Sequence, residues 1–104
     1  MNPVAYTVRA TLADPAVADA WIAWLRDVHL TEVLAAGALD CEVLRGELDD
    51  GGVYCEVRYH FTDATAFARY EREEAPRLRD EAARRFAPEA IRYTRWVAPV
   101  VLRR

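Results

Sequence analysis

The chain has no lysine, serine or glutamine, and all fourteen of its cations are arginine. Alanine is abundant, and the pattern reads as the codon bias of a GC-rich bacterial genome. Selection of arginine for anion recognition would not remove serine. There are only two cysteines, and neither CxxC nor HxxxH spacing occurs, so no metal site is expected. Phosphate-binding loops and nucleophile elbows are missing as well. No apolar run approaches the roughly 20 residues of a membrane span. Met1-Asn2-Pro3 leads directly into a strand pattern, with no signal peptide visible, and a cytoplasmic location is the expectation. The net charge is −3 and no long run has one sign. The terminal Arg103-Arg104 pair is too short for a basic arm, so nucleic acid is not an expected partner. With 104 residues, 53% of them hydrophobic, residues 1–104 form one domain with enough apolar material for a core.

What is present is an ordered series of patterns. Val4–Leu12 alternates as a strand. Asp14-Pro15 opens a long amphipathic helix reaching about Ala36, with Asp14 accepting free N–H groups and Pro15 placed where no donor is needed. Val17, Trp21, Trp24, Leu25 and Val28 recur at helical spacing as its buried stripe. Continuing that wheel would bury Glu32. A break near Leu30 is therefore expected, with Thr31 capping a new turn that buries Val33 and Leu34, and Gly37 ending it. Two strands follow, Leu39–Leu48 and Val53–Phe61. A second helix, Asp63–Phe86, carries Phe67, Tyr70, Leu78, Ala82 and Phe86 inward. Pro76 lies within it and predicts a kink or break. Ala90–Val100 is the last strand. The order β-α-β-β-α-β predicts an α+β, ferredoxin-like fold with a four-stranded antiparallel sheet.

The hairpin register follows from keeping Leu39, Cys41 and Val43 on the same side as Val53, Cys55, Val57, Tyr59 and Phe61. That requires a three-residue loop, Asp49-Asp50-Gly51, with Gly51 left-handed. Cys41 then faces Tyr59 and Cys55 faces Arg45. This offset of about four residues, roughly 13 Å, is too far for a disulfide. On the other side Asp40 faces His60, Glu42 faces Arg58 and Leu44 faces Glu56, with Arg9, Tyr54 and Trp96 nearby. Opposite charges across strands stabilise the pairing. A helix-free face carrying Trp96, Leu44 and Tyr54 is a poor solvent surface. It predicts a homodimer, two sheets closing face to face into a barrel through Asp40, His60, Glu42, Arg58 and Trp96.

The stretch from Asp14-Pro15 through Trp21-Ile22-Ala23-Trp24-Leu25-Arg26, with His29, Glu32-Val33-Leu34 and Gly37, resembles the first-helix signature of a small bacterial family of unassigned function. Tyr70, Ala75-Pro76, Leu78-Arg79 and Arg85-Phe86 resemble its second helix, so the likeness covers nearly the whole chain. Family members are similar in fold to the dimeric α+β barrels, distantly like the antibiotic biosynthesis monooxygenase type. Cofactor-independent quinone-forming monooxygenases, haem-degrading enzymes, lactone isomerases and stress-response proteins share that fold. The resemblance implies fold and dimer; fold alone licenses no reaction. Relatives often carry His before the Ala-Pro of the second helix, and Pro at the Thr31 position; here Glu74 takes the first place.

Several residues are candidates for a site. His29, on the flank of the first helix's stripe, is either a general base at a cavity mouth or a helix-end His capping carbonyls. His60 beside Asp40 is either a catalytic dyad or an ordinary cross-strand pair within a barrel. Tyr59, Tyr70, Glu74 and Arg79 are expected to converge on one cavity. Arg79 would anchor a phenolic or carboxylate-bearing ligand, and Glu74 would shuttle a proton. The plainer reading is an aromatic core with a charged rim. Three functions stay open: a small-molecule binder, a cofactor-independent enzyme using His29 or Glu74, and a structural or regulatory dimer. No cofactor is expected; haem with His29 as axial ligand is a weaker variant.

Overall fold

A computed structural model describes residues 2–104. Its elements are β1 (Val4–Leu12), α1 (Pro15–Trp24), a π-helical turn (Leu25–His29), α2 (Leu30–Ala35), β2 (Asp40–Glu47), β3 (Val53–Phe61), α3 (Ala64–Glu73), α4 (Ala75–Arg85) and β4 (Ile91–Pro99). The strands form one antiparallel sheet in the order β2-β3-β1-β4. This is the ferredoxin-like α+β fold. The helices pack on one sheet face, over β1, β2 and β3.

Alternation of apolar residues sets the register as the sequence implied. Asp40 pairs with His60, Cys41 with Tyr59, Glu42 with Arg58, Leu44 with Glu56 and Arg45 with Cys55. The hairpin closes through Leu48 N–H donating to the Gly52 carbonyl at 2.9 Å. Gly51 takes φ +87°, the left-handed value this loop requires. Both cysteine thiols are free. The core joins Tyr6, Leu12, Trp21, Leu25, Val33, Val57, Tyr59, Phe61, Tyr70 and Leu78.

Both helical segments are interrupted. Asp14 and Asp63 cap their starts, accepting from Val17 N–H at 3.0 Å and Ala66 N–H at 2.8 Å. The second segment breaks at Glu74, two residues before Pro76, as proline chemistry demands. The first corrects the expected break at Leu30. Thr31 caps nothing, and the chain runs on through a π turn, with Leu30 N–H donating to the Leu25 carbonyl. One extra residue in the turn rotates everything after it, and this resolves the conflict over Glu32. Val33 becomes fully buried, while Val28 and Leu34 turn outward at 44% and 40% exposure. Glu32 reaches Arg77 of α4 at 3.2 Å.

The helix-free face is polar but tightly knit. Arg9 and Arg58 bracket Glu56 at 2.8 and 3.2 Å, and Arg58 lies 3.9 Å from Glu42. Glu56 and Thr7 are buried beneath these neighbours. The Arg9 guanidinium lies over the Tyr54 ring, 4.1 Å from its centroid. Gly46 leaves the room Tyr54 occupies, since a Cβ there would collide with the ring. Trp96 and Leu44 remain exposed on this face.

Candidate functional site

A small cavity of about 40 Å³ lies between the helices and the inner sheet face. Strand residues Tyr6, Val8, Val57, Tyr59, Tyr93 and Arg95 form its floor. Trp21, Trp24, Leu25 and His29 come from the first helical segment, and Tyr70, Leu78, Arg79 and Ala82 from the second. The π turn supplies Leu25 and His29 to this lining, and the Pro76 break falls between the lining residues Tyr70 and Leu78. π turns are common at functional sites because the extra residue re-aims side chains and leaves a looser backbone.

His29 ends the π turn and stacks on Trp24, with ring centroids 4.5 Å apart and planes 21° from parallel. Its Nδ1 is buried without a hydrogen-bond partner, the single such side-chain atom among the described residues. No helix-end carbonyl is capped by that nitrogen. Burial depresses its pKa from 6.5 to about 4, Glu81 opposing and Arg95 adding to the effect. His29 is therefore neutral near pH 7, and its Nδ1 is available to a ligand.

Three of the four expected cavity residues, Tyr59, Tyr70 and Arg79, do line this space. Burial raises the pKa of both Tyr59 and Tyr70 above the ordinary phenol value, so both are neutral hydrogen-bonding groups. Arg79 donates to the Tyr6 hydroxyl at 3.3 Å and to Glu71 at 2.8 Å. Glu74 is the exception. The break gives it a cap position (φ −118°) and sends its carboxylate to Arg77 at 3.0 Å, outside the cavity. Glu71, one turn earlier, is the carboxylate held beside the site. Trp21 donates its indole N–H to the Tyr93 hydroxyl at 3.2 Å.

His60 and Asp40 lie on the other sheet face, with Nδ1 2.7 Å from Oδ1. The hydrogen bond from His60 holds the Asp40 carboxyl below its usual pKa, and Arg103 adds to this. Glu42, Arg58 and Trp96 share that face, away from the cavity. Sequence reasoning missed Tyr93 and Arg95 as site residues. Their inward alternation on β4 was readable; the closeness of His29 to that edge was not. Among the described residues, no three His, Cys, Asp or Glu side chains gather as a metal site, and no helix is long and apolar enough to cross a membrane.

Residues 4–99 match the model of the family described as "Domain of unknown function (DUF4286)", and the chain belongs to that family. No curated protein matches the sequence. Among solved structures, a dimeric ferredoxin-like protein from an uncultured marine organism is similar with TM-score 0.70 at 15% identity, over 99% of each chain. A Bacillus cereus protein, provisionally named an antibiotic biosynthesis monooxygenase, is similar with TM-score 0.71 at 16% identity, over 100% of this chain and 98% of that one. A variant of SnoaB, a cofactor-independent oxygenase from Streptomyces nogalater, is similar with TM-score 0.61 at 16% identity, over 99% and 97%. At these identities the likeness is one of fold.

Proposed function

We propose that this family member is a homodimeric barrel, cytoplasmic in location, that binds a small aromatic or carboxylate-bearing metabolite between its helices and sheet. The observation that carries the reading is the buried, unpartnered Nδ1 of neutral His29 in a cavity that Arg79, Tyr59 and Tyr70 also line. A buried polar atom with no partner costs stability, on the order of 1–3 kcal/mol; a ligand hydroxyl or carboxyl would satisfy it. An aromatic wall with a few convergent polar groups is the usual make-up of a small-molecule site. The open sheet face supports the dimer, because Trp96 and Leu44 stand exposed beside the charge pairs of Glu42, Arg58, Asp40 and His60. The marine neighbour, which shares the fold, is dimeric by its name.

Native mass spectrometry of protein purified from its own host tests both parts. A dimer carrying an extra small mass is the expected result. Particles of one chain, 11.8 kDa, at every concentration would sink the dimer. A dimer with no added mass, and no metabolite retained from host extract, would leave a structural or regulatory role.

A second reading, a cofactor-independent enzyme of the monooxygenase or isomerase style, rests on the same His29. A neutral imidazole with a free nitrogen can accept a proton from a bound phenol or an acidic C–H group. Glu74 has no part in it. With the retained metabolite as substrate, His29→Ala should abolish turnover while binding persists; unchanged turnover would exclude this role.

A further inference from the structure

The cavity described above is too small for its proposed guest. About 40 Å³ holds water, whereas an apolar cavity that takes benzene is about 150 Å³. Two neighbouring hollows are larger. One, of about 310 Å³, lies along α4 and β4 and is lined by Ala82, Ala83, Phe86, Ile91 and Tyr93. Another, of about 200 Å³, is flanked by Phe67, Glu71, Trp96 and Val97. Arg79 and Arg95 line all three spaces. The two arginine side chains are thus the partition between the inner cavity and its outer neighbours.

The two are held differently. Arg79 is tied to Glu71 and Tyr6. Arg95 is exposed on the edge strand, rests over the Tyr93 ring at 4.8 Å, and has no carboxylate partner among the described residues. Acidic side chains are plentiful on this chain, yet no ion pair takes up this guanidinium. A long, unpaired cation at the rim of an aromatic cavity can swing aside at little cost and close behind a ligand. Its planar fork matches a carboxylate.

We infer that ligands enter between α4 and the edge strand β4 through a gate formed by Arg79 and Arg95, and that the site selects aromatic acids. In this arrangement displacement of the arginine side chains joins the inner cavity to the outer hollows, Arg95 takes the carboxylate, and the ring lies across the joined space toward Trp24 and His29. The inference rests on the binding reading above and adds the entrance, the ligand charge and the residue that reads it. Arg95 is the clean position to change, because replacing it breaks no hydrogen bond or ion pair of the fold.

The test uses 4-hydroxybenzoate and its neutral isostere 4-hydroxybenzamide, followed by the three tryptophan indole N–H signals in an NMR titration. Trp21 and Trp24 line the cavity, and Trp96, which flanks the outer hollow, reports a ligand that stays outside the gate. The acid should move the Trp21 and Trp24 signals with a dissociation constant about tenfold or more below that of the amide. Arg95→Gln should remove this preference by weakening the acid alone, with the thermal midpoint unchanged. Equal binding of acid and amide to the wild type, or an Arg95→Gln variant that keeps the preference, would overturn the gate and leave the binding cavity standing. If neither probe moves Trp21 or Trp24, the gate and the cavity reading both fall.

Discussion

The two helical segments are both broken, but for different reasons. In the second segment the cause is local and covalent. Pro76 has no N–H to donate and crowds the preceding turn, so the helix ends at Glu73 and restarts at Ala75. In the first segment, no proline or glycine stands between Pro15 and Ala36, yet Leu25–His29 forms a π turn. That turn follows from packing: Leu25 and Val33 are both buried, and one extra residue between them lets both face inward. The proline break is bordered by exposed polar contacts, with Arg77 pairing to Glu74, Glu81 and Glu32. The π turn instead places an unpartnered histidine in the cavity. An interruption with no local cause is the better marker of a site, because something other than chain chemistry maintains it.

Substitutions can break this comparison. Leu25→Ala removes the anchor of the π turn and should cost about 3 kcal/mol in a denaturant titration; a loss below about 1 kcal/mol would mean the turn does not depend on this packing. The next effect is pH-dependent. His29 has a folded pKa near 4 against 6.5 ordinarily, so the unfolded chain takes up the proton first as pH falls. The folded state is therefore penalised progressively from about pH 6.5 down to about 4, by on the order of 3 kcal/mol in all. Wild type should thus lose stability relative to His29→Leu as pH falls through that window; parallel curves would show that His29 is not held neutral. Pro76→Ala should cost only about 0.5 kcal/mol, since proline at a compatible first-turn position acts mainly on the unfolded chain. A large loss would show that the second interruption also depends on a special geometry. Arg77→Ala should leave the thermal midpoint nearly unchanged, because its three pairs are solvent-exposed.

The same contrast explains what could be read in advance. The β2–β3 register followed from period-two alternation and one left-handed glycine, both local signals. The break near Pro76 was legible for the same kind of reason. Its consequence was not: the helical wheel carries both Glu71 and Glu74 toward the inner stripe, whereas the break turns Glu74 to Arg77 and leaves only Glu71 beside the site. The π turn carried no sequence signal, so Thr31 looked like a cap and Val28 like a core residue. Tyr59, Tyr70 and Arg79 were found as cavity residues because each lies on an uninterrupted part of its element. Arg95 was passed over because alternation names the face of a strand but not the helix that stands opposite.

Sequence alone determined the strand and helix order, the antiparallel register, the two capping aspartates and the chemistry of the open sheet face. These depend on residues two to four positions apart, where periodicity, turn chemistry and proline sterics act. The tertiary structure alone decided where the first helix gains its extra residue, that His29 is buried without a partner, and that Arg79 and Arg95 stand between three hollows. Those features arise where segments distant in the chain compete for the same space, and no local pattern records how that competition is resolved.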